Sequence, residues 1–419
     1  MNIGNSLERE KCCGCTACVS VCPRNCITME DDEKGFLRPR INMSKCVDCG
    51  KCVKVCPSIN LKCERLPIKV WAVKNSDDKV RANSSSGGTF MALSEWIIQH
   101  GGVVFGARFN EKWEIEHGYA DTIEGVKAFQ GSKYVQSNMG DCYLQVRHFL
   151  EDDKWVLFTG TQCQIEGLIN FVGANVEKLL TVDVICHGVP SPRLWQDYLD
   201  YLRQEKFIGK ENEVKDIAKI AEPLIEKISF RDKTFGWKRF SMLFKYRTFT
   251  DGANVTESTL IRDGCKVYHP ICGSEEEDLY YKGFIRGYFN RPSCYDCPSK
   301  NGRSHSDITI GDYWGLPEEL LQWDDDRGIS VVMVFTEKGN AILDELKVEK
   351  KETSFVKATR YNPNYAKSCA HSNFVDMFWR LYPKKGFEAV EVCAGKQDPS
   401  IFYKALRKIY HRIRKFIKK

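Results

Sequence analysis

The sequence predicts an α/β protein with α+β elements: a small cysteine-rich N-terminal domain, then a larger core on a mixed, partly parallel sheet. Three observations predict it. Cys12, Cys15, Cys18 and Cys22 precede Pro23, and the pattern returns as Cys46, Cys49, Cys52 and Cys56 before Pro57. From Val70 onward, strand-like apolar runs alternate with helical periods, the signature of an α/β core. The 419 residues are too many for one small core, at about 150 residues per domain.

Taken in order, residues 1–63 form the cysteine-rich domain. The C-x2-C-x2-C-x3-C-P run is the signature of bacterial two-cluster ferredoxins. Three closely spaced thiolates face one iron–sulfur cube from a tight loop, and the fourth comes from the other run. Cys12, Cys15, Cys18 and Cys56 are therefore assigned to one 4Fe-4S cluster, and Cys46, Cys49, Cys52 and Cys22 to a second. The rival is structural zinc, which usually takes two separated cysteine pairs. Short helices are expected over 16–21 and 50–55, with a hairpin of 27–30 and 36–39 between them. Cys13, Cys26 and Cys63 fall outside the pattern and read as packing cysteines.

After a linker at 64–67, strands are expected at 70–74, 103–109, 155–158 and 179–185. Helices are expected at 90–100, 140–152, 164–172 and 192–205, followed by a charged surface helix within 206–227. Antiparallel strands follow at 228–231 and 240–249, then buried strands at 307–311 and 329–335. The stretch 350–395 mixes loops with short helices, one at 374–381. The core divides into an N-terminal part, 68–150, and a C-terminal part, 151–395, with a tail at 396–419.

Several motifs fall where strands give way to helices, the edge at which open α/β sheets hold ligands. Ser84-Ser-Ser-Gly-Gly-Thr89 suits a phosphate at a helix N-terminus, or equally a plain helix cap. Lys133 and Tyr134 offer a cation and a ring beside hydroxyls. Gly160 and Thr161 would line the crevice. Cys163 lies in the first turn of the next helix, where the dipole is expected to lower a thiol's pKa. Cys186 follows the next strand, and Cys294 and Cys297 make another C-x2-C. Cys163, Cys186, Cys294 and Cys297 together would hold a third cube; buried inert cysteines or a zinc pair are the alternatives. Asp312, Tyr313 and Trp314 would orient a flat ring or, equally, pack in the core, and Arg231 to Lys233 with Trp237 would give a charged edge beside them or a surface salt-bridge cluster.

In combination these segments resemble the coenzyme F-420 hydrogenase/dehydrogenase beta-subunit family, from about Val70 to Gly315, with an N-terminal two-cluster ferredoxin domain. The resemblance implies a flavin-type core and an FAD-containing iron–sulfur oxidoreductase passing electrons to a deazaflavin or another two-electron partner. It makes Ser86, Gly87, Gly88, Lys133, Tyr134, Gly160 and Thr161 the expected flavin contacts, and Cys163, Cys186, Cys294 and Cys297 cluster ligands. Gln162 stands where members usually have Pro, which alters the loop before Cys163. Bacterial relatives fused to ferredoxin are associated with polysaccharide assembly, so the substrate does not transfer with the fold. The expected cofactors are two 4Fe-4S clusters, a third, and FAD.

The composition is that of a soluble globular protein, 42% hydrophobic and 28% charged. No apolar run is long enough to span a membrane and no secretory signal core opens the chain, so a cytoplasmic location is expected. Residues 404–419 carry eight of the basic charges behind the net +6, leaving −2 for the rest. The body therefore gives no nucleic-acid surface. Leu406, Ile409, Tyr410, Ile413, Phe416 and Ile417 share one face of that tail, which suits an anionic membrane surface. The expected partners are a redox protein or small electron carrier. Two rivals to the enzyme remain: a non-catalytic iron–sulfur relay subunit, and a zinc-stabilised interaction protein.

Overall fold

The computed structural model describes residues 1–173, 176–203, 224–250, 260–268 and 278–397. The basic tail at 404–419 and most of the expected surface helix lie outside these residues. Residues 224–227, the end of that expected helix, instead open a strand.

The N-terminal module is a hairpin between two cysteine loops. Strands β1 (Ile27–Asp31) and β2 (Leu37–Ile41) pair antiparallel. Asp32 builds the turn by accepting from the Lys34 and Phe36 amides, each at 2.9 Å. Its other oxygen accepts from Arg38 at 2.9 Å. Each cysteine loop ends in a short helix, Ala17–Ser20 or Lys51–Lys54.

The core is an eight-stranded mixed sheet. Its strands are β3 (Lys69–Asn75), β4 (Val103–Phe109), β5 (Ile115–Ala120), β6 (Val156–Thr161), β7 (Leu179–Val184), β11 (Ile308–Asp312), β12 (Ser330–Val334) and β13 (Val348–Glu352). Their order is β13-β3-β12-β11-β7-β6-β4-β5. Strands β4, β6, β7 and β11 are parallel neighbours. Two antiparallel pairings through β12 turn β3 the same way. Five strands thus finish on one edge. A separate antiparallel sheet joins β8 (Leu224–Asp232), β9 (Ser241–Thr250) and β10 (Leu260–Tyr268).

Alternate residues of the central strands feed two cores. Val104, Leu157, Leu180 and Val182 pack under helices Thr89–Gln99 and Glu337–Glu345. Val103, Phe105, Val156, Phe158 and Leu179 pack under helices Cys142–Glu151 and Gln162–Val172. Cys13, Cys15, Ala17 and Val55 of the module join that second core, so the module is seated on this face of the sheet. Among the described residues no helix is long and apolar enough to cross a membrane.

Candidate iron–sulfur and crevice sites

The two N-terminal loops share a backbone as well as a spacing. Gly14 and Thr16 in the first have φ of 72° and 66°; Asp48 and Gly50, at the same positions in the second, have 50° and 72°. These left-handed residues curl each loop so that its three thiols turn inward. Cys22, Cys26, Cys46, Cys49 and Cys52 line one pocket with Pro23, Ile27, Ile41 and Gly50. It holds all four expected ligands of the second cluster, with Cys26 Sγ 3.4 Å from Cys22 as a fifth thiol, and so soft a cradle fits a 4Fe-4S group. Around the first run, burial and the neighbouring Cys12 and Cys56 thiols push Cys18 up. Burial, then Cys13 and Cys12, push Cys56 up to about 12. Cys12, Cys18 and Cys56 are thus neighbours, and Cys15 adjoins Cys18 and Cys13. Among the described residues, no three His, Cys, Asp or Glu side chains are gathered as a single metal ion would need.

The first run is enclosed by the core. Arg291, fully buried, donates to Cys12 O at 2.7 Å, Leu37 O at 2.8 Å and Gln136 Oε1 at 2.7 Å, and its Nη2 lies 3.6 Å from Cys12 Sγ. Gln136 donates to Cys13 O at 3.0 Å, and Asn170 to Val55 O at 3.2 Å. A methyl built on Gly167 would sit 2.9 Å from Cys15 Sγ and 3.1 Å from the Tyr143 hydroxyl. Only a glycine lets helix Gln162–Val172 come this close.

Cys163, Cys186, Cys294 and Cys297 come together beyond that contact. Cys294 is pushed up by burial and by Cys186 and Cys297. Burial holds Cys297 at about 11, where Lys300 lowers it and Cys186 and Cys13 raise it. Gly188, at φ 152°, lets the Cys186 loop pack on Cys294, whose Cβ would be 3.4 Å from an added methyl. Buried Lys300 donates to the carbonyls of Cys186 and of Asn364, the latter at 2.6 Å. Four thiols with a cation beside them fit an anionic cube. Two cysteines that sequence reasoning set aside or passed over also belong here. Cys13 lies against both Cys15 and Cys163, and Cys369 contacts Asn290 at 3.3 Å and His187 at 3.7 Å.

Two details differ from expectation. The Cys163 thiol is pushed well up, by contact with Cys13 and by burial, so the helix dipole does not prevail. Gln162 occupies the first helical position, where Pro is well tolerated. Its side chain is 2% exposed, and both polar atoms are without a partner among the described residues. A buried amide left unpaired is costly.

The expected flavin contacts gather along the same sheet edge. The three serine hydroxyls serve the loop itself: Ser84 donates to Val80 O, Ser85 accepts from Ser132 N, and Ser86 donates to Ile329 O. Gly87 is pinned to β12, its amide donating to Ser330 Oγ at 3.0 Å. Gly88, at φ 86°, caps helix Thr89–Gln99, and the buried Thr89 hydroxyl behind it has no partner among the described residues. The segment around Lys133 is irregular. Lys133 donates to Ala128 O and Gln130 O, both at 3.0 Å, and burial pushes its amine down to about 7. Its charge, after burial, lowers His117 to about 4. His117 accepts from Ser137 and contacts Thr159 O at 3.0 Å, beside Gly160. Thr161 forms a capping box with Gln164. Ser85 accepting from Ser132 sets the serine loop beside the Lys133 segment, and His117, which feels the Lys133 charge, contacts Thr159 beside Gly160. An unpaired hydroxyl and a lysine without an acidic partner among the described residues fit a bound anion such as a flavin's phosphate.

Tyr134 turns the other way, stacking on Phe284 at 4.8 Å. Beside it, Arg231 pairs with Asp312 at 2.9 Å, and Trp237 donates to Asp312 at 3.0 Å. Trp237 and Trp314 lie parallel at 4.8 Å. Arg231 sits over the Phe240 ring at 3.7 Å. Tyr313 is withdrawn, fully buried and bonded to Thr353 at 2.7 Å, so one of the two expected ring-orienting aromatics is core.

A ferredoxin module seated beside a further four-cysteine site defines an iron–sulfur electron-transfer protein. Residues 11–60 match the 4Fe-4S dicluster domain. Residues 153–357 match the family that describes the C-terminal region of the coenzyme F420 hydrogenase/dehydrogenase beta subunit. The chain is thus a 4Fe-4S protein related to that beta subunit. It is similar in structure to a chain of the F420-reducing NiFe hydrogenase complex of Methanosarcina barkeri, with TM-score 0.43 and 17% identity, covering 72% of this chain and 88% of that one. No curated protein matches the chain.

Proposed function

We propose that the protein is a flavin-dependent iron–sulfur oxidoreductase. It would exchange electrons among the two ferredoxin clusters, a third 4Fe-4S group on Cys163, Cys186, Cys294 and Cys297, and FAD at the sheet edge, and from there with a two-electron partner. One observation carries this reading. The serine loop is tied to the Lys133 segment through Ser85 and Ser132, and His117 carries the contact on to Thr159, beside Gly160 on the strand that leads to Cys163. Thr89 and Lys133 would hold the flavin's phosphates, Gly160 and Thr161 would lie along its ring system, and Tyr134 would border the aromatic group around Arg231. A bound flavin supplies the exchange between one-electron and two-electron transfer. The partner is a deazaflavin or another organic substrate, with polysaccharide biosynthesis as the setting that the resemblance suggests.

The test is anaerobic purification with iron, sulfide and flavin quantitation. About twelve irons and one FAD per chain are expected, at four irons per cube. About eight irons without flavin would leave a ferredoxin-type relay, and that outcome sinks the enzyme.

A further inference from the structure

The two ferredoxin sites present different faces to the world. The first is closed off by Arg291, Gln136 and helix Gln162–Val172. The second is the module's free end: Cys49 is exposed, and a methyl on Gly50 would meet nothing nearer than Met1 O at 3.7 Å. Among the described residues the second is the more open to an outside carrier.

The surface around it is one-sided in charge. Arg24, Lys45, Lys51 and Lys54 are all exposed and ring the pocket of Cys22, Cys46, Cys49 and Cys52 or the helix that leaves it. None of the four is in an ion pair among the described residues. The one acid among residues 42–56, Asp48, is engaged by Asn2 at 2.8 Å and by the N-terminal amine at 3.7 Å. Met43 and Val47 stand 59% and 61% exposed within this basic rim. The acids Asp31, Asp32 and Glu33 lie at the hairpin turn, the end held to the core through Arg193 and Asp32 O at 2.8 Å. An apolar centre inside a basic rim, over an exposed cluster ligand, is complementary to an acidic protein surface.

We propose that the surface formed by Arg24, Met43, Lys45, Val47, Lys51 and Lys54 docks a small acidic one-electron carrier protein, which exchanges electrons with the cluster site of Cys22, Cys46, Cys49 and Cys52. One electron leaves the reduced carrier and arrives at this site; no bond is made or broken. The inference rests on the cluster reading and adds to it a port and the chemistry of its partner.

The test is anaerobic stopped-flow reduction of the full chain, followed by bleaching of iron–sulfur absorbance. The probes are a reduced acidic ferredoxin and, as a small non-docking reductant, reduced methyl viologen. The ferredoxin rate constant is expected to fall about tenfold or more from low to physiological salt, as electrostatically steered encounters do. The combined K45E, K51E and K54E variant should lose about tenfold at low salt while its viologen bleaching stays unchanged. Normal viologen bleaching with a ferredoxin rate indifferent to salt and to the variant would overturn the docking surface alone. So would faster exchange with a basic carrier. Absence of viologen bleaching would overturn the cluster reading along with it.

Discussion

The two cysteine runs of the module have the same spacing and the same left-handed backbone positions, yet the protein treats them oppositely. At the first, a methyl on Gly14 would strike Gln136 at 2.6 Å and Arg291 at 2.8 Å; at the second, Gly50 looks onto open space but for Met1 O. Local sequence makes a cluster loop. What the loop is for follows from what packs on it. The difference teaches that a duplicated motif becomes directional when one copy is buried against a larger partner and the other is left free.

The sharpest test removes one ligand from each site. Cys56→Ser and Cys49→Ser should each cost about four irons per chain. Only Cys56→Ser, at the enclosed site, should also lower the anaerobic melting temperature of the core. Equal losses of thermal stability would erase the distinction. Next, Arg291→Ala removes three hydrogen bonds, with Arg38 still donating to Cys12 O, and should cost about 3 kcal/mol in anaerobic denaturant unfolding. Arg291→Lys should not rescue it, because the guanidinium fork serves several acceptors at once.

The hairpin contains the same contrast in miniature. Arg38 faces the first run, with only 9% of its side chain exposed, and pairs with Asp32. Arg38→Ala should cost about 3 kcal/mol. Two residues on, Arg40 pairs with Glu30 in solvent, at 73% and 54% exposure. Its loss should register below about 0.5 kcal/mol by the same unfolding assay.

On the core side, His117 gives a pH signature between these two in size. Its pKa falls from 6.5 unfolded to about 4 folded, chiefly through burial. The unfolded chain therefore binds the extra proton, and stability present above pH 6.5 drains away on acidification. Between pH 6.5 and 5 the loss should be about 2 kcal/mol. The His117→Gln variant should show a flatter stability profile over that window. Equal slopes in the two proteins would mean that His117 is not the group responsible.

Much of this was legible from sequence because it is local or periodic. The cysteine spacing carries both ferredoxin sites. Val156, Leu157 and Phe158 form the continuous apolar run of a strand buried on both faces. Strand β13 escaped because Glu349, Lys350, Lys351 and Glu352 make an edge strand, which is kept charged against further pairing. Strand β5 escaped because Glu116, His117 and Gly118 break its apolar pattern. Arg231 and Asp312 were each singled out, but their pairing across 81 positions depends on how β8 and β11 meet, which no local pattern encodes. Cys13 looked incidental for the same reason. Its neighbour Cys163 lies 150 residues away, and only the seating of the module brings them into contact.

Gly167 carries a consequence of its own. Electron tunnelling weakens steeply with every added ångström, so a protein that must move charge between two bodies needs them to touch. A single missing side chain lets helix Gln162–Val172 rest on Cys15. One methyl there would press on the Cys15 sulfur and act as a shim between the module and the helix. If electrons cross from module to core as proposed, their rate is in this sense written at a position that binds nothing.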